Sequence, residues 1–99
     1  MTDINISRSD TPSKARYEAR VEGIEEPGEL TISKVSDVLI IADHTYAPES
    51  MRGMGVASAL VNRLIADARA SGQRIIPLCP YVKAQAAKHR DDWADVIQW

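Results

Sequence analysis

Arg52-Gly53-Met54-Gly55-Val56-Ala57 follows an apolar, strand-like run, Val38 to Tyr46, and opens an amphipathic helix. A glycine-bearing turn between a strand and a helix is a device for holding an anion. The first backbone N–H groups of a helix have no intrahelical partner, and the helix dipole favours negative charge there. Glycine also lets the backbone come close to a ligand. The first reading is therefore a phosphate-bearing cofactor seated at residues 52–58; the plain alternative is that Gly53 and Gly55 merely make a tight turn. A P-loop would need Lys-Ser or Lys-Thr after its last glycine, where this chain has Val56-Ala57. A dinucleotide fingerprint needs a third small residue, which Ser58 supplies. The chain around it is too short and too antiparallel for that fold.

Working outward, 99 residues make one small domain with one modest core. Hydrophobic content of 44% and charged content of 26% are ordinary for a globular chain. Phenylalanine is absent, so Ile, Val, Leu and Ala must fill the core. A net charge of −2 gives no basis for non-specific nucleic-acid binding. No apolar run is long enough to span a bilayer, and Met1-Thr2-Asp3 begins nothing like a signal peptide. The single cysteine, Cys79, excludes an intrachain disulfide framework. No Cys/His spacing points to a metal. These features fit the cytoplasm.

Residues 1–13 are polar and read as a mobile tail, leaving 14–99 as the domain. Ala15 to Glu22 alternates, with Tyr17, Ala19 and Val21 on one side and Arg16, Glu18, Arg20 and Glu22 on the other, as in a half-solvated strand. Gly23 and Pro27-Gly28 mark a turn. Glu29 to Val35 is a weaker second strand. Val38 to Tyr46 is a third, apolar on both sides over Val38 to Ala42, which suggests burial between layers. A helix is predicted from about Gly55 to Ser71, with Val56, Leu60, Leu64 and Ala68 at every fourth position and Gly72 as its C-terminal stop. Arg74 to Leu78 is a fourth strand, and strand–helix–strand over this length reads as a right-handed crossover. Tyr81 to His89 is a second helix with Pro80 in its first turn. Asp91-Asp92 and Trp93 to Trp99 close the chain as a short tail.

The turn, entered from Ala47-Pro48, resembles the acetyl-CoA pyrophosphate motif R-x-x-G-x-A of the GNAT superfamily of N-acetyltransferases. Asp43-His44-Thr45-Tyr46-Ala47-Pro48 before it and Pro77-Leu78-Cys79-Pro80-Tyr81-Val82 after it resemble the small, single-domain, GNAT-like branch, which also has a downstream histidine, here His89. The similarity runs from about residue 38 to 97. Arg90 stands where that branch usually has proline, and residues 15–35 match in pattern alone. The resemblance implies a minimal α+β fold of about four mostly antiparallel strands, with a splayed parallel pair and two helices. It implies acetyl-CoA as cosubstrate and CoA as product. Thr45, Tyr46, Arg52, Gly53, Met54, Gly55, Val56, Ala57, Ser58, Cys79 and Tyr81 are then the cofactor-binding positions. The backbone amides around Met54 to Ala57 would cradle the pyrophosphate, with Arg52 as a nearby cation.

Three residues are candidates for chemistry. Cys79 ends the fourth strand beside the expected path of the pantetheine arm. It is either a nucleophile that carries the acetyl group or a buried small hydrophobe; the first needs a depressed thiol pKa from a helix N-terminus or a cation. Tyr81 either protonates the departing thiolate or packs against the pantetheine or core. His44, read by alternation as sharing a face with Ala42 and Tyr46 and not with Asp43, either takes a proton from an ammonium acceptor or fixes the loop before Arg52. His89 reads as a helix cap or dipole partner. Arg74, Lys83, Lys88 and Arg90 read as solvated surface rather than phosphate ligands.

The expected reaction is acetyl transfer to an amine, by direct attack or through Cys79. The expected acceptor side is open, which suits a lysine on a protein or an exposed amine, because only Gly23 to Gly28 joins the first two strands. No nucleic-acid or membrane partner is expected, and the chain should be a monomer or weak dimer. Rival readings are a non-catalytic acyl-CoA-binding module and a thiol redox protein using Cys79.

Overall fold

Alternation decides the inner strands. Ala15, Tyr17, Ala19 and Val21 are buried while Lys14, Arg16 and Arg20 are exposed, the period of a strand with one covered face. The computed structural model describes residues 3–99. Five strands form one sheet in chain order: β1 (Ile4–Asp10), β2 (Lys14–Val21), β3 (Gly28–Lys34), β4 (Leu39–Tyr46) and β5 (Arg74–Pro77). The first three pairings are antiparallel; β4 and β5 run parallel. Helix α1 (Val56–Ser71) crosses from β4 to β5, and α2 (Pro80–Lys88) follows β5. The fold is α+β, as expected, with a fifth strand added. No helix of the described residues is long and apolar enough to cross a membrane.

The additional strand corrects the reading of residues 1–13 as a mobile tail. Residues 1 and 2 lie outside the described residues, but Ile4 to Asp10 pairs with β2 along its whole length. It reads as polar because it is an edge strand. Ile4 and Ile6 pack on the core, while the next inward positions are charged and paired. Arg8 donates to the Tyr17 hydroxyl at 2.7 Å, and that hydroxyl donates to Asp67 on α1 at 2.7 Å. Burial, then the bond to Asp67, pushes the Tyr17 phenol far above its usual value. The chain of bonds fastens β1 to α1 across the buried Tyr17 ring.

Helix α1 forms because its apolar stripe is buried: Val56, Leu60, Val61, Leu64, Ile65 and Ala68 all face the sheet. Burying one Leu or Ile contributes about 1.5–3 kcal/mol, against under about 0.7 kcal/mol for most differences in helix propensity. Tertiary burial therefore sets this helix. Gly72, at φ 68°, stops it, and its N–H reaches the carbonyls of Ala68 and Arg69.

Both helices lie on one face. Beyond Lys88 the chain returns to the outer side of β5, where Ile97 makes a parallel bridge with Ile75. The β4–α1–β5 and β5–α2–Ile97 crossovers thus advance in the same direction, and right-handed connections put their helices on the same side. Burial agrees. Val82, Ala86, Trp93, Val96 and Ile97 join the α1 stripe in one core, whereas Leu39, Ile41 and Ile76, on the other face, are only half-buried. That face of β2–β5 has no described element over it. The two-sided apolarity of Val38 to Ala42 therefore does not mark a doubly covered strand.

The C-terminal segment is docked rather than a tail. Arg74 explains this: its guanidinium donates to the Gln98 side chain at 2.9 Å and to the carbonyls of Ala94, Asp95 and Ile97 at 3.3, 3.1 and 2.8 Å. Arg74 stays on the surface, as its sequence reading has it, but its guanidinium is committed to the C-terminal segment. Arg69 adds a two-pronged contact with Asp95 at 2.8 and 3.0 Å.

Gly28 is more than a turn marker. A Cβ there would lie 2.8 Å from Val56 Cγ1 and 3.3 Å from the Tyr46 carbonyl. Its lack of a side chain lets the first turn of α1 sit down on the sheet. Gly28→Ala is expected to cost about 1–3 kcal/mol, as overpacking does, and adding Val56→Ala should return most of it. Urea unfolding of the two single variants and the double variant measures the coupling.

Candidate active site

The turn before α1 is built on a buried anchor. Met51 is 1% exposed and ends a 3₁₀ turn, Glu49–Met51, whose bonds run from Met51 N–H to Pro48 O and from Arg52 N–H to Glu49 O. Gly53 and Gly55 then take φ 82° and 75°. Side chains other than glycine adopt such values at a cost of about 1–2 kcal/mol. Nothing lies within 4 Å of a Cβ built on either glycine, so conformation rather than crowding requires them there. The same open space leaves room for a ligand.

The first bond of α1 is Ala59 N–H to the Gly55 carbonyl at 2.9 Å. The N–H groups of Val56, Ala57 and Ser58 precede it, no side chain caps the helix, and none of the three has an acceptor among the described residues. Met54 does not belong with them: its N–H is bonded to the Met51 carbonyl at 3.1 Å. Arg52 stands at the rim, 81% exposed and 3.8 Å from the equally exposed Glu49 carboxylate. Tyr46, Ala47, Pro48, Glu49 and Arg52 line an open depression of about 400 Å³ beside the turn. Tyr46 donates to Glu26 at 3.1 Å, and that bond pushes its phenol up.

The parallel pairing ends at Ala42 opposite Pro77, while β4 runs on to Tyr46. Cys79 marks the parting. Its N–H reaches the Ala42 carbonyl at 2.8 Å, and it is the N-cap residue of α2 without its side chain capping that helix. The thiol instead donates to Thr45 Oγ1 at 3.4 Å and is 3% exposed. Tyr81, two residues on, is half-buried against the core, and burial pushes its phenol up, so it keeps its proton at neutral pH.

His44 is not where alternation put it. Ile32 faces Ala42, but Thr31 faces His44, so β4 carries one extra residue, Asp43, in a β-bulge. The bulge breaks the period of two. His44 leaves the face of Ala42 and joins Asp43 and Tyr46 on the uncovered face. Thr45, opposite Leu30, turns to the helix face where Cys79 lies. The structure therefore unites Thr45 with Cys79 and separates His44 from both by the thickness of β4. His89 is the C-cap of α2 and stacks on Trp93 with ring centres 4.5 Å apart, and Arg90 lies over the Trp99 ring at 4.3 Å.

An uncapped helix start behind a glycine turn thus lies beside a parallel strand pair that parts after Ala42 and Pro77. A family model described as GCN5-related N-acetyl-transferase matches residues 16–96, which span β2 to the C-terminal segment and leave β1 outside. The chain belongs to this family of acetyltransferases. No curated protein matches it.

Proposed function

We propose that the chain transfers an acetyl group from acetyl-CoA to an amine. The observation that carries this reading is the start of α1, where three N–H groups without a hydrogen-bond acceptor follow two glycines at positive φ. Those amides and the helix dipole suit the pyrophosphate, with Arg52 as a mobile counter-charge. Met54 contributes its position in the turn rather than its amide.

Direct attack fits this chain better than a relay. The Cys79 thiol is buried, donates to the Thr45 hydroxyl and does not cap α2, the arrangement of a packed small side chain rather than an exposed nucleophile. On this reading Thr45 and Cys79 lie toward the acetyl end of the bound cofactor. Tyr81, protonated, supplies a proton to the leaving thiolate, and a β4 backbone N–H beyond Ala42 holds the oxyanion. His44 waits on the uncovered face, where an amine could reach it. That uncovered face suits an acceptor presented on a protein, such as a lysine, better than an enclosed metabolite. A reduced, unpaired Cys79 suits the cytoplasm.

Acetyl-CoA labelled in its acetyl group tests both claims. Label should pass to added amine acceptors and none should stay on Cys79. Cys79→Ser is expected to keep transfer within about threefold of the parent, where loss of a true nucleophile costs orders of magnitude. Tight binding with no transfer to any amine would leave the non-catalytic module as the better reading.

A further inference from the structure

The bulge in β4 is held by side chains from three strands. Asp43, the extra residue, accepts a hydrogen bond at Oδ2 from Ser33 Oγ on β3 at 2.6 Å. Lys14 Nζ on β2 donates to Ser33 Oγ at 3.2 Å and lies 3.9 Å from the Asp43 carboxylate. Lys14 faces Ser33 across β2–β3, and Ser33 faces Ile41 across β3–β4. The three side chains form a peg on the uncovered face, immediately before the register changes.

What the peg decides follows from counting. Without the extra residue, Ile32 opposite Ala42 would put Thr31 opposite Asp43, Leu30 opposite His44 and Glu29 opposite Thr45. His44 would then point under the helices, into the buried face of Leu30 and Ala42. Thr45 would point to the uncovered face, out of reach of Cys79. A one-residue slip in a strand exchanges its faces. Everything in β4 beyond Ala42 depends on the bulge.

We propose that Lys14, Ser33 and Asp43 are positioning residues of the site: by pinning the bulge they present His44 to the acceptor side and Thr45 to Cys79. The structural part stands by itself, and its effect on rate rests on the acetyl-transfer reading above.

The test uses the full chain carrying Asp43→Ala or Ser33→Ala, with Asp43→Asn as the conservative variant that keeps an acceptor for Ser33. Both positions lie on the uncovered face of the sheet, and circular dichroism confirms folding. Cross-strand NMR contacts between Thr31 and His44 and between Leu30 and Thr45 report the register. Reaction of Cys79 with iodoacetamide reports the Thr45 contact. In Asp43→Ala both cross-strand contacts should weaken, and Cys79 should react about tenfold faster. Transfer should lose about tenfold in kcat with KM for acetyl-CoA within twofold. Asp43→Asn should restore all of these. Unchanged cross-strand contacts and thiol reactivity in both alanine variants would overturn the proposal. If register and thiol reactivity change but the parent protein transfers no acetyl group, the peg stands and the transfer reading falls.

Discussion

Ser58→Glu should weaken acetyl-CoA binding by about 3 kcal/mol, near 150-fold, while leaving the protein at least as stable as the parent. Ser58 lies in the first turn of α1, where its N–H is one of the three without an acceptor. A carboxylate there adds negative charge within about 5 Å of the expected pyrophosphate. At an effective dielectric constant near 20, each such charge pair repels by about 3 kcal/mol. The same carboxylate faces the positive end of the helix dipole, which stabilises the fold by about 0.3–1 kcal/mol. Binding and stability should move in opposite directions. Gly55→Val is a poorer probe, because φ 75° penalises any β-branched side chain before a ligand arrives. Calorimetric titration with CoA, beside thermal unfolding of the same samples, reads both effects. Undiminished affinity in a folded Ser58→Glu protein would remove the helix start from the binding site.

Trp93→Ala should cost about 3–5 kcal/mol of stability, a large part of what a domain of this size possesses. Trp93 is 8% exposed, stacks on His89, and accepts the N–H groups of Val96 and Ile97 on its carbonyl. It fixes the turn that delivers Ile97 to β5. Truncation leaves a cavity beside α2 and loosens the segment that Arg74 clamps. Urea unfolding should show an earlier midpoint with a nearly unchanged slope, and Trp93→Phe should recover about half the loss by refilling the space. A cost below about 1 kcal/mol would mean that the C-terminal segment contributes little to the core.

The parts of this fold that sequence exposes are those where chemistry and conformation demand the same residue. Gly53 and Gly55 are needed at positive φ, and the α1 stripe must repeat with the helix period, so the turn and its helix were readable. The edge strand β1 was not, because two half-buried isoleucines among polar residues look like a tail until the Arg8–Tyr17–Asp67 bonds are seen. The bulge was hidden for a different reason. Asp43, His44, Thr45 and Tyr46 are all polar, so a shift of one residue leaves no break in the hydrophobic pattern. The role of Arg74 was equally silent, since three of its four acceptors are main-chain carbonyls that no side-chain pattern reveals. Gly28 was visible as a turn residue, but its contact with Val56 belongs to tertiary structure.

The strand order in space equals the strand order in the chain. Each antiparallel pairing therefore closes over a short loop, and β1 to β4 can zip as a meander with little loss of chain entropy. The β4–β5 contact is different: it must wait for the whole of α1 to form and swing across. Local contacts generally come early and non-local ones late. The seam where Thr45 meets Cys79 is thus expected to be the last joint of the sheet to close during folding and the first to open when the native protein breathes.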